Sequence, residues 1–196
     1  MALIDNAAIV PAGGYIFIAD PDTEKPADLT DPTNPGGAWE HVGHTKLDAL
    51  PEFGRDGDDP EIKGSWQNAK LRATTPDVTY SVTFQSIQAT ALTYQLYFGA
   101  GPAAVQADKS FRIPATPTPQ TKALLVVLVV LVDGTNYLPL YHPRVSLLGS
   151  DAVGMASDDF VSFPIKGTFL GSTKLGGAIG EWAQVAASEP PPHGGD

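Results

Sequence analysis

His41 and His44, three positions apart beside Glu40, are residues of the right type for metal binding. On a strand, however, side chains three apart point to opposite faces, so the two imidazoles do not converge on one ion. Asp56, Asp58, Asp59 and Glu61 resemble the opening of a calcium loop. That loop needs a glycine at its sixth position and a bidentate glutamate at its twelfth, and the chain supplies neither. Serine and aspartate are plentiful, but there is no Gly-x-Ser-x-Gly elbow, and there is no cysteine to act as thiolate nucleophile or zinc ligand. The glycines of Gly171–Gly180 lack both a Gly-Lys-Ser/Thr sequence and a strand-to-helix setting, so no phosphate cradle is expected. Trp39, Trp66 and Trp182 suit a sugar-stacking platform, and equally suit core or interface anchors. His142, next to Pro143, reads as a structural histidine. The residues point away from enzymatic chemistry, and no catalytic residue, cofactor or metal is expected.

The elements that carry these residues are organised around Thr121–Leu148. Ala123 to Val132 are ten consecutive apolar residues, five of them valine, too few for the roughly 18–20 that cross a bilayer. Asp133-Gly134 follows, a dipeptide that takes φ > 0 readily, and then a second largely apolar run, so the stretch predicts a long hairpin. Its first strand is apolar on both faces and must be covered on both, by a sandwich interior or by another subunit. Further strands are expected at Tyr15–Ala19, Val42–Thr45, Glu61–Ala73, Val78–Ile87, Phe111–Ile113 and Asp159–Phe169. Pro164 is expected to put the last of these at an edge or a bulge. The period changes over Gln88–Phe98, which predicts the only helix of consequence, stopped by Gly99. Asp20–Gly37 carries four prolines and Asp48–Pro60 is polar and acidic, so both read as loops. The fold class is mainly β, an antiparallel sandwich or barrel of seven to nine strands with one flanking helix. The expected organisation is one domain over 1–182, with an arm at about 1–38, and a flexible proline-rich tail over 183–196.

Composition narrows the function further. Charged residues are 17% of the 196, and Gly (20) and Pro (18) are abundant, which favours turns and extended segments. Residues 1–65 hold 13 acidic and 4 basic side chains, so nearly all of the net charge of −10 lies in the first third. Such a surface repels nucleic-acid phosphates, and adhesive DNA or RNA binding is not expected. Met1–Ala8 has neither a basic start nor a long apolar core, so no signal peptide is expected, and no membrane partner.

An ordered series of segments carries a resemblance. Trp39-Glu-His-Val-Gly-His-Thr, Leu50-Pro-Glu-Phe-Gly-Arg-Asp-Gly-Asp and Lys63-Gly-Ser-Trp-Gln-Asn resemble the first half of major tail tube proteins of long-tailed, non-contractile bacteriophages, above all those of actinobacterial hosts. Tyr80-Ser-Val-Thr-Phe, Leu96-Tyr-Phe-Gly, Leu140-Tyr-His-Pro-Arg-Val and Val161-Ser-Phe-Pro-Ile continue it, over roughly 8–175. The resemblance implies a structural virion protein whose hexameric rings stack into a hollow tube, assembled in the host cytoplasm around a tape-measure protein. It also implies terminator and distal tail proteins at the ends, and transient, non-adhesive passage of DNA. By the same resemblance Asp48–Pro60 is an inter-ring stacking loop, offering Leu50, Glu52, Phe53, Arg55, Asp56, Asp58 and Asp59. Asp48, Glu52, Glu61 and Asp159 are then candidates to face the lumen, where carboxylates keep phosphates from sticking. The loop and the arm are expected to order only on stacking. The rival readings are another tail ring component (terminator or distal tail protein) and a carbohydrate- or protein-binding β-sandwich module.

Overall fold

The computed structural model describes residues 8–27, 29, 31–74, 76–130 and 137–183. Along them run β1 (Pro11–Ala19), β2 (Glu40–His41), β3 (Glu52–Asp56), β4 (Glu61–Lys63), β5 (Arg72–Thr74), β6 (Thr79–Ser86), α1 (Ala91–Phe98), β7 (Gln120–Val130), β8 (Tyr137–Gly149), β9 (Phe163–Phe169) and β10 (Glu181–Trp182). The main sheet is antiparallel in the order β2-β1-β7-β8-β9-β6-β3, with β10 added to the first half of β8. β4 and β5 form a separate two-stranded sheet.

The apolar run behaves as its sequence requires. Ala123, Leu124, Leu125, Val126 and Val127 are all buried. Leu124 and Val126 turn inward with Ile16, Ile18, Val82, Phe84, Leu147 and Ile165. Leu125 and Val127 turn outward and pack with Phe17 and Tyr141 under Leu29, Trp39 and Leu175. The inner cluster draws on β1 and β6, which are far apart in the sheet order, because the sheet curls round until it meets itself. Val42 N–H donates to the Ile16 carbonyl (2.9 Å), Thr45 bridges Ser86, and Lys46 N–H donates to the Gln85 carbonyl (3.0 Å). The segment after β2 thus joins β1 to the end of β6 and closes the barrel there, while β3 keeps a free edge.

The proline-rich arm is bonded to the barrel at several points. Asp22, held at φ 61, accepts from Arg144 Nε (2.7 Å) and from Ser172 Oγ (2.6 Å). Its own amide donates to the Pro143 carbonyl (2.9 Å), and Tyr141 Oη donates to the Thr23 carbonyl (2.6 Å). These bonds lay the arm across the outer face of β7 and β8. The arm therefore serves as the second cover that an apolar strand demands.

Several expectations hold and others are corrected. The long hairpin is β7 paired with β8; its Asp133-Gly134 turn, like the tail from 184 on, lies outside the described residues. α1 begins at Ala91, after Gln88, because Thr90 caps it by accepting from Thr93 N–H, and it stops at Gly99 in the left-handed region (φ 60). β6 runs within the expected Val78–Ile87. Asp48–Pro60 is not wholly loop, since Glu52–Asp56 finds an unpaired edge on β6 and becomes β3. Glu61–Ala73 is not one strand but the hairpin β4–β5, turned at Ser65–Asn68. Phe111 makes only an isolated bridge to Val105. Pro164 lies inside the sheet, paired with Gln85. A ring nitrogen without a donor is tolerated there because it faces β8, whose ladder ends one pair earlier, at Gly149–Ile165.

Covering on both faces predicts that Leu124→Ala and Leu125→Ala both destabilise the fold, each by about 2–5 kcal/mol in urea unfolding. A strand with one solvated face would show that loss for only one of the two.

Candidate functional site

The site this structure offers is surface for association. From Gly54 to Thr74 every residue is exposed, and this stretch holds the β4–β5 hairpin. Its turn is well defined. Ser65 N–H donates to the Asn68 carbonyl (2.7 Å), Asn68 N–H returns to the Ser65 carbonyl (3.2 Å), and Asn68 Oδ1 accepts from Lys70 N–H (3.0 Å). Gly64 is needed beside the turn, since a Cβ there would sit 2.4 Å from the Ala69 carbonyl oxygen. The turn presents Trp66 with its side chain 100% exposed, flanked by Ile62 and Leu71, also exposed. Lys63, Lys70 and Arg72 lie on the same exposed stretch, with Glu61.

At the opposite end of β3 the barrel mouth is an apolar groove of about 310 Å³. Gly13 and Gly14 of β1 contribute no side chain, and Leu47, Leu50, Leu128 and Trp182 wall the space. Trp182 is oriented by His142. The histidine Nδ1–H donates to the Ile179 carbonyl (3.0 Å), and its Nε2 accepts from Trp182 Nε1–H (3.0 Å). The imidazole stacks on Phe169 at 3.8 Å, and Phe53 packs edge-on against Trp182 at 4.8 Å. Burial, only partly offset by the bond to Ile179, pushes the His142 pKa down from 6.5 to about 4. The neutral imidazole is the form that can accept from Trp182.

The residues singled out in the sequence divide between these places. Leu50 and Phe53 belong to the groove; Arg55 and Asp56 end β3; Asp58 and Asp59 lie exposed between β3 and the hairpin. Asp48 and Asp159 come together on Lys46, at 3.5 and 2.8 Å. The hydrogen bond from Lys46, then that from Phe160 N–H, lowers the Asp159 pKa. Glu52 stands on the free edge of β3, and Glu61 pairs with Lys63 on the hairpin at 3.4 Å. His41 Nδ1 accepts from Gly43 N–H (2.8 Å), and its ring packs edge-on against Phe17. The three tryptophans do not form one platform. Trp39 covers the outer face, Trp182 walls the groove, and Trp66 tips the hairpin. Asp22 and Gly13-Gly14 escaped notice in the sequence. A lone aspartate in a proline-rich segment carries no signal, and a paired glycine read as a turn before β1 when it lies within the strand.

Among the described residues no His, Asp or Glu side chains gather as a group of three that would hold a metal ion, and no helix is long and apolar enough to cross a membrane. A barrel with a solid interior, a projecting hairpin and an apolar mouth defines a structural β-protein. A family model described as "Phage tail tube protein" matches residues 1–191, and the chain belongs to that family. It is similar to the major tail protein Gp23 of Mycobacterium phage D29, 35% identical over 180 residues, which covers 87% of this chain and 88% of the relative. The protein of the same name in Mycobacterium phage L5 is 34% identical over the same shares. Both relatives come from phages of actinobacterial hosts, as the resemblance implied. The protein is a major tail tube structural subunit of the virion tail, not an enzyme.

The His142 geometry predicts a pH dependence. The unfolded histidine binds its proton near pH 6.5 and the folded one only near pH 4, so stability is full above about 6.5 and falls as pH drops toward 4. The loss is on the order of 3 kcal/mol. His41, lowered by burial and then by His44, adds to the same slope. Urea unfolding between pH 7 and 4 should show the decline, and His142→Phe should flatten it; an unchanged slope in that variant would contradict the assignment.

Proposed function

We propose that this tail subunit assembles as hexameric rings that stack head to tail into a hollow tube. The tube forms around a tape-measure protein in the host cytoplasm, is closed by terminator and distal tail proteins, and later passes DNA without holding it. The observation that carries this reading is the wholly exposed stretch Gly54–Thr74. An isolated two-stranded hairpin is marginal in water, so one held clear of the barrel with an exposed tryptophan suits a contact with another copy. The inter-ring element expected at Asp48–Pro60 is better drawn from Gly57 to Asp77, with Leu50–Asp56 as its base. Asp58 and Asp59 then belong to the arm itself, while Phe53, packed on Trp182, anchors its root.

The acidic first third supports the conduit reading. Asp48, Glu52, Glu61 and Asp159 remain the candidates to face the lumen, where they would repel phosphates. Asp48 and Asp159 share Lys46, which weakens their field; Glu52 on the free edge of β3 is the strongest of the four.

Electron microscopy of the purified protein at rising concentration tests the reading. Long hollow tubes of stacked rings are expected. Isolated rings at every concentration would favour a terminator or distal component, and a persistent monomer would refute self-assembly. Replacing Glu61–Thr74 with a short Gly-Ser turn should leave the thermal midpoint within a few degrees and abolish tubes.

A further inference from the structure

The hairpin tip and the barrel mouth are complementary, and they lie at opposite ends of the same strand. β3 starts at the groove, where Leu50 and Phe53 line it, and ends at Asp56, beyond which the hairpin begins. At about 3.3 Å per residue, the six steps from Leu50 to Asp56 separate the two features by roughly 20 Å. Trp66 is fully exposed, so it does not occupy the groove of its own chain.

We propose that the groove at the start of β1, walled by Leu47, Leu50, Leu128 and Trp182, receives Trp66 from the β4–β5 hairpin of a second copy of this chain. Three observations support that occupant. The groove is predominantly apolar and, at about 310 Å³, takes an indole ring with an adjoining aliphatic side chain. Gly14, on the inward face with Ile16 and Ile18 and paired with Leu128, brings no side chain into it. The charges also favour it: Asp48, itself paired with Lys46, and Glu52 neighbour the lining residues Leu47, Leu50 and Phe53 in sequence, whereas Glu61–Thr74 carries Lys63, Lys70 and Arg72 against Glu61 alone. An apolar anchor in a desolvated pocket inside a rim of opposite charges is the usual anatomy of an interface hot spot.

The contact is heterologous, with different surfaces meeting on the two copies. Such a contact, directed along the strands, propagates without closing and yields an open filament. The inference rests on the tube reading and specifies the joint between successive rings. His142 enters as a positioning residue, because its bond fixes the Trp182 wall.

The absence of cysteine from the chain makes a direct test available. A chain carrying Leu47→Cys and Gln67→Cys is assembled, oxidised and run on a denaturing, non-reducing gel. The expected result is a ladder of covalent oligomers, lost in either single variant. Trp66→Ala, a change at an exposed position that spares the fold, is expected to raise the concentration needed for tubes at least tenfold, and Leu50→Arg, which puts a charge into the groove at a half-exposed lining position, to do the same. Mixing these two variants should restore one joint only, giving paired assemblies but no tubes, because one variant keeps the tip and the other keeps the groove. Wild-type tubes with no cross-linked ladder, or Trp66→Ala tubes at the wild-type concentration, would overturn the docking and leave the tube reading standing. Wild-type protein that never forms tubes would overturn that reading, and the docking with it.

Discussion

A strand that is apolar on both faces has to be covered twice, and most of this structure follows from how β7 meets that demand. Fully burying a valine or leucine contributes roughly 1.5–3 kcal/mol, so leaving either face of Ala123–Val127 wet would forfeit a large part of the margin that keeps a domain folded. One face is covered by curling the sheet until β1 and β6 share a core with Leu124 and Val126. The other is covered by chain that has no regular structure of its own. A proline-rich segment is suited to that task because it cannot add a strand and so lies across the sheet without extending it.

The outer cover holds only if it is tied down, which gives Asp22 its importance. Its carboxylate is kept below the usual range first by the bond from Arg144, then by that from Ser172. Lys174 Nζ adds a bond to the Asp22 carbonyl (2.6 Å). Arg144 and Pro143 are available because β8 bulges there: two residues, Pro143 and Arg144, oppose the single Ala123. A bulge bends the strand and re-aims its side chains. The irregularity in the longest hairpin is thus the point at which the arm is fastened, and the proline that breaks the ladder frees the carbonyl that accepts from Asp22 N–H.

How much of this could be read in advance follows from how local each signal is. The β7–β8 hairpin, the β6 alternation and the Gly99 stop were legible because each depends on a few neighbouring residues. Closure through Val42–Lys46 was not, since it needs Thr45 to meet Ser86 some forty positions away. β3 was hidden for a related reason. Glu52-Phe-Gly-Arg-Asp carries one large apolar residue and reads as loop, yet it pairs because β6 offers an open edge and Phe53 finds Trp182. Pro164 misled in the other direction, because proline is excluded only where its missing donor faces a partner. The polar character of Asp48–Pro60 thus hid a strand, and the alternation in Glu61–Ala73 concealed a turn whose only local mark was Gly64.

Closure and projection are two halves of one solution. Joining β1 to β6 leaves short, polar β3 as a free edge, which limits indiscriminate strand addition to a β-rich subunit. Association must then be delegated to something that stands outside the barrel. The β4–β5 hairpin, whose few exposed apolar residues share it with Lys63, Lys70 and Arg72, is on the proposed docking such a device. The barrel in turn leaves one end unfilled, because Gly13 and Gly14 bring no side chains to it. If Trp66 fills that end on the next copy, as proposed, the two features serve one contact, and a surface that fits only its own opposite end adds copies in one direction.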